Sequence, residues 1–251
     1  MSDATAILNE LDAGVAMAEK NGDHYRGQTL SIYRAWVQLF GMDFAGARDL
    51  SATLLPMLDD PARLPWRRMA LGIAGSAEVG LGNHERALEH LLTAKREMDR
   101  HTVIHDWYWR NVLQAALTDL RLAQGDLPRA VEEGEAFLRV ACSTPERTWQ
   151  ALAWEANTRI ALAACELEWA RDCITKAVAA MDGFEVPLAE WRVHATAGEL
   201  SERRGDSGAA KQHHALSRAA ILKLADSLPA DDPLRKTFLS APRISTILAG
   251  G

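Results

Sequence analysis

Apolar residues recur three and four positions apart along most of the chain, the spacing that lays one stripe along an α-helix. In 69–81 the stripe is Met69, Ile73, Ala74 and Ala77. Small and polar residues interrupt it at regular places. The pattern predicts helices over 3–20, 24–40, 44–58, 65–81, 84–100, 105–124, 127–142, 145–164, 167–182, 187–204 and 207–227. Pro65, Pro145 and Pro187 fall where a first helical turn tolerates proline. Thr144 before Pro145-Glu146 reads as an N-cap. Gly-Asn at 82–83 and Gly-Asp at 125–126 and 205–206 supply a helix-ending glycine, then a cap for the next helix.

These boundaries repeat. Met42, Gly82, Gly125, Cys165 and Gly205 each precede an alanine by five residues. The alanines are Ala47, Ala87, Ala130, Ala170 and Ala210, spaced by 40, 43, 40 and 40 residues. A fixed period of this length marks stacked supersecondary units. Each unit reads as an antiparallel helix pair, with the alanine letting its two helices approach closely. One hairpin cannot bury both faces, so stacking supplies a continuous core. The expected organisation is one all-α domain over 1–251. Residues 1–22 form an N-terminal cap helix, 23–227 the hairpins, and 228–251 a C-terminal cap and tail, with a short helix near 232–240.

Composition narrows the class. Among 251 residues, 43 are Ala and 32 Leu, against 19 Val plus Ile, which disfavours a β-rich fold. A net charge of −6 argues against nucleic acid as the main partner, since phosphate binding needs a basic face. The start, Met-Ser-Asp-Ala-Thr-Ala, has neither the basic nor the apolar segment of a signal peptide. No run of about 18 apolar residues predicts a membrane span. A cytoplasmic protein is expected. Cys142, Cys165 and Cys173 have no CxxC spacing and read as free thiols in a reducing compartment.

The segment Ala70-Leu-Gly-Ile-Ala-Gly-Ser-Ala-Glu-Val-Gly-Leu-Gly-Asn-His-Glu-Arg-Ala-Leu-Glu-His90 resembles a tetratricopeptide repeat, with Gly75, Gly82 and Ala87 at its small-residue positions. The other units match more loosely and are longer than that repeat. Together they resemble the C-terminal arms of large bacterial signalling ATPases, LuxR-type regulators and cyclase-linked ATPases. The tail Leu224–Leu239 is similar to the end of such arms. No GxxxxGK[ST] phosphate loop accompanies them. The resemblance implies a right-handed α-solenoid of about five helix pairs. It also implies a concave groove that recognises a peptide, a protein or a small ligand.

In the resembling repeats the first helix of each pair lines the groove. That phase selects Thr29, Ile32 and Trp36, then Asp119, Glu155 and Arg159, then Arg192, Glu199 and Arg203. Arginines there could hold a carboxylate bidentately, or form intrahelical pairs such as Glu155 with Arg159. Eight of sixteen aromatics are Trp, and most would fill seams between repeats. In Trp107-Tyr108-Trp109-Arg110, residues 107 and 109 cannot share a helix face, so one should look outward; Trp109 and Arg110 join the candidate binding residues. His101 and His105 stand four apart beside Asp106 but straddle a predicted link, which disfavours a metal site. His213-His214 point in different directions. Asp59-Asp60 and Asp231-Asp232 read as caps, and the terminal Ala-Gly-Gly as a frayed end. No nucleophile or acid–base constellation assembles.

The expectation is a non-enzymatic adaptor without cofactor or metal. It would bind a protein or peptide, its own copies included, in bacterial signalling or regulation. The alternative is a small-ligand-sensing arm of a signalling ATPase or transcription regulator.

Overall fold

In a computed structural model, residues 4–250 are described. Met1–Asp3 and Gly251, hence the extreme N-terminal sequence and the last tail glycine, lie outside them. Among the described residues there are thirteen α-helices and no strand. No helix is long and apolar enough to cross a membrane.

The chain forms two compact units. The first takes residues up to Ala116 with Ser227–Phe238. It holds α1 (Ala4–Lys20), α2 (His24–Phe40), α3 (Phe44–Leu54), α4 (Leu64–Gly80), α5 (His84–Arg100) and the start of α6 (Asp106–Ala123). Each of α1–α4 packs on the helix that follows it, and α2 also meets α4. The second takes Leu117–Asp226 with Leu239–Gly251. It holds the end of α6 with α7 (Leu127–Ala141), α8 (Arg147–Ala163), α9 (Leu167–Met181), α10 (Pro187–Arg203) and α11 (Ser207–Ala225). Neighbours from α7 to α11 pack in turn, and α8 meets α10. Most of α12 (Pro233–Ser240) belongs to the first unit, and α13 (Pro242–Ala249) to the second, where it packs on α11.

The repeat has a backbone signature. Met42, Gly82, Gly125, Cys165 and Gly205 all have positive φ, between 59° and 77°. Each ends a helix in the left-handed conformation, and the next N–H reaches five residues back, as Asp126 N to Arg121 O at 3.0 Å. Glycine is free there, whereas Met42 and Cys165 carry a side chain in a conformation that L-residues avoid. The residue that follows starts the next helix: Asp43, Asp126 and Asp206 accept from backbone N–H groups three residues on. Asn83 departs from this, because its amide donates to Glu78 Oε2 at 2.6 Å instead of capping.

The repeated alanines are fully enclosed: Ala47, Ala87, Ala130 and Ala170 show 0% exposure and Ala210 4%. Close approach also explains Gly75, where a Cβ would lie 2.6 Å from Leu91 Cγ of α5. Helix α4 is buried without a break from Arg68 to Gly75. Arg68 lies inside only because its charge is matched. Its Nη1 donates to Asp106 at 2.7 Å and its Nη2 to the Glu97 carbonyl at 2.5 Å. Asp106 also accepts from Val103 N, which ties down the link before α6.

Three expectations need correction. Helix α8 begins at Arg147, capped by Glu146, whose carboxylate accepts from Thr148 and Trp149 N–H. Thr144 instead donates its hydroxyl back to Ala141 O, closing the preceding helix. The span 44–58 is α-helical only to Leu54, because Pro56 cannot continue the ladder, and tightens into a 3-10 turn over Leu55–Leu58. The expected C-terminal tail holds a second short helix, α13, with Pro242 at its first turn.

Candidate functional site

The groove residues chosen from the sequence fall into two sets. In the first unit, Ile32 is fully buried and Trp36 is half-buried. Trp36 meets Phe40, Tyr108 and Trp109 edge-on, with centroids 5.4, 5.3 and 5.5 Å away. These tilted contacts are the favoured aromatic arrangement. Trp109 is turned inward at 7% exposure, while Trp107 is the outward-facing one at 45%. Arg110 is tied down, donating to Asp99 at 2.8 Å, which Lys95 also holds. Thr29 spends its hydroxyl on the Tyr25 carbonyl. This set is packed against itself, although Trp36 Nε1 is buried without a partner.

The second unit brings Asp119, Glu155, Arg159 and Arg192 together. Arg159 bridges two helices: Nη2 donates to Asp119 of α6 at 2.6 Å and Nε to Glu155 of its own helix at 2.8 Å. Glu155 is 1% exposed, and the same oxygen, Oε1, also accepts from Thr196 of α10 at 2.7 Å. The 40-residue period makes the Asp119–Arg159 pair, since both occupy the same repeat position, eleven residues before the repeat alanine. Glu199 and Arg203 lie further along α10 and pair with each other at 2.6 Å. Arg203 also donates to the Leu162 carbonyl at 2.7 Å, closing the C-terminal end of α8. They do not join the central network by any direct bond.

Two guanidiniums edge this network. Arg192 stacks over the buried Trp191 ring at 5.0 Å, and Arg243 of α13 over the same ring at 5.2 Å. Arg243 reaches Glu155 Oε1 only at 3.6 Å. Three arginines thus face two carboxylates. Burial opposes the Asp119 charge, but Arg159, Arg192 and Arg243 overcome it and hold the carboxyl below its ordinary value. Burial likewise opposes the Arg159 charge, and Asp119 with Glu155 outweighs it, raising that pKa. For Arg243 the balance reverses: partial burial, with the Arg159 and Arg192 cations, pulls it down to about 10 against Glu155 and Asp119. It stays charged at neutral pH in a positive field.

A cavity of about 400 Å³ opens beside Arg243, lined by Thr196 and Glu199 of α10 and by Pro242, Thr246 and Ile247 of α13. That volume falls in the range of small-ligand sites. A second cavity of about 580 Å³ in the first unit is lined by both signs of charge, Arg48, Arg86, Asp49 and Glu89 among them.

Sequence reasoning missed Thr196 and Arg243. Thr196 was legible in principle, 41 residues after Glu155 and so one repeat on. Arg243 was not, because it lies outside the repeat. His194 and His213 also pair, with Nδ1 atoms 3.2 Å apart. Burial, then the neighbouring His213, lowers His194 to about 4, so the pair is neutral at pH 7. His101 and His105 are both exposed and flank the link between α5 and α6. Among the described residues, no three metal-ligating side chains cluster. No protein-family model matches the sequence, and no curated protein matches it either.

Proposed function

We propose that the protein is a non-catalytic adaptor of tetratricopeptide-like design, and that the second unit recognises a peptide or protein segment of a partner in a signalling system. One observation supports this above others. The first helices of successive pairs turn charged side chains, Asp119, Glu155 with Arg159, and Arg192, onto a linked network, and Arg192 has no hydrogen bond or ion pair among the described residues. A guanidinium held against an indole and lacking a carboxylate is poised for an acidic group on a partner. Buried Glu155 and half-buried Arg159 keep the face rigid, which lowers the ordering cost of association. The setting that the resemblance implies is bacterial and cytoplasmic.

The test is a peptide-library selection on the whole chain, followed by anisotropy with the enriched peptides. Acidic peptides should be enriched, and Arg192→Glu should weaken them at least tenfold, the equivalent of about 1.4 kcal/mol. Selection of no peptide, or equal binding by the variant, would refute the proposal.

A further inference from the structure

Arg243 brings a charge to this face that the repeat does not supply. Its Nη2 lies 3.6 Å from Glu155 Oε1, an oxygen that already accepts hydrogen bonds from Arg159 at 2.8 Å and Thr196 at 2.7 Å. A guanidinium carries five donors in a planar fork, and no hydrogen bond engages those of Arg243 among the described residues. Its side chain is 41% exposed and borders the 400 Å³ cavity. Arg192 stacks on the same Trp191 ring and has no ion pair of its own, whereas Arg243 has only the long one to Glu155. With Glu199, which also lines the cavity, balanced by Arg203, Arg159, Arg192 and Arg243 outnumber Asp119 and Glu155 by one positive charge, and Pro242 and Ile247 give the cavity an apolar side.

We propose that this cavity between α10 and α13 binds a small organic anion, whose oxyanion is forked by Arg243 under the field of Arg192 and whose short apolar part lies against Pro242 and Ile247. Carboxylate and phosphate share the chemistry that a guanidinium fork matches. The apolar wall and the single excess charge favour a monocarboxylate. Thr246, on the turn of α13 that follows Arg243, lines the same cavity, with its hydroxyl donated to the Pro242 carbonyl at 2.8 Å, so the oxyanion is left to the guanidinium. This goes beyond the partner proposal and survives its failure, because it needs no peptide.

The test is calorimetric titration of the whole chain with hexanoate, with neutral hexanamide and with inorganic phosphate. Hexanoate should saturate in the millimolar range or below, and hexanamide should not bind. Arg243→Gln should weaken hexanoate at least tenfold with an unchanged melting temperature. Arg243→Lys should fall between, because it keeps the charge and loses the fork. Phosphate binding in place of hexanoate, with the same dependence on Arg243, would support the site and assign it to phosphoryl ligands. The proposal is overturned if neither anion binds the wild type, if hexanamide binds as well as hexanoate, or if Arg243→Gln binds like the wild type. If Arg243→Gln melts early, Arg243→Lys decides: undiminished binding overturns the fork, and weakened binding at wild-type stability upholds it.

Discussion

One repeat position is filled in opposite ways in the two units. Eleven residues before the repeat alanine, the first unit has Trp36 and Ser76, and the second has Asp119, Arg159 and Glu199. Trp36 is locked among Phe40, Tyr108 and Trp109. Arg159 is locked as well, but by carboxylates, and the charges around it are left unbalanced. The same backbone therefore supports a face that holds itself together and a face that holds charge ready. The first unit also buries a charge pair, Arg68 with Asp106, but closes it off at 1% and 3% exposure. Its purpose is internal, since both partners are spent on the α4, α5 and α6 segments.

Substitutions can break this contrast, and the largest effects should be on stability. Trp109→Ala in the first unit should cost about 3–5 kcal/mol in urea denaturation, as large aromatic deletions do. Glu155→Ala in the second should cost about as much, about 3–5 kcal/mol, because it strands Arg159 without its buried partner. If Glu155→Ala proves neutral, the network is ornament on the second unit and not its keystone.

The next effect is set by pH. His194 faces His213 of α11, with His214 beside it bonded to Glu202. Its folded-state pKa is depressed from 6.5 to about 4, so the fold prefers the neutral ring. The stability this contributes is complete above pH 6.5 and lost as pH falls through about 4. Urea midpoints from pH 7.5 down to pH 4 should fall for the wild type, and fall less for His194→Leu.

Smaller still are the turn positions. Gly125→Ala should cost about 1 kcal/mol, and Cys165→Gly should gain about the same, because both residues sit at positive φ. Thermal melts of the pair would test whether the five turns are equivalent. The smallest stability change belongs to Arg192→Ala, within about 0.5 kcal/mol, since no hydrogen bond or ion pair is lost.

Much of this was legible before any coordinates. The spans of α2 and α5 follow from periodicity and their flanking turns, and five of the seven left-handed positions among the described residues are those the 40-residue period marks. The period also carries Asp119 to Arg159, which no local pattern could pair. Local chemistry misled where two caps competed. Thr144 has the right side chain, but Glu146 stands closer to the free N–H groups. The tail expected after the short helix near 232–240 hides a further helix, since proline opens a helix as readily as it ends one, and α13 with Arg243 went unseen. Helix geometry separates Trp107 from Trp109, but the choice of Trp109 as the outward, binding residue is reversed in the structure, because which one turns inward depends on Trp36, far away in sequence.

The central claim is that the two faces divide the labour, one stabilising and the other recognising. The most direct measurement is a urea midpoint and a peptide affinity on each of two variants, Trp36→Ala and Arg192→Glu. Trp36→Ala should lower the midpoint and, while folded, leave the affinity within twofold. Arg192→Glu should keep the midpoint and lose at least tenfold in affinity, about 1.4 kcal/mol. If Arg192→Glu unfolds the protein while Trp36→Ala abolishes binding, the roles are reversed and the account fails.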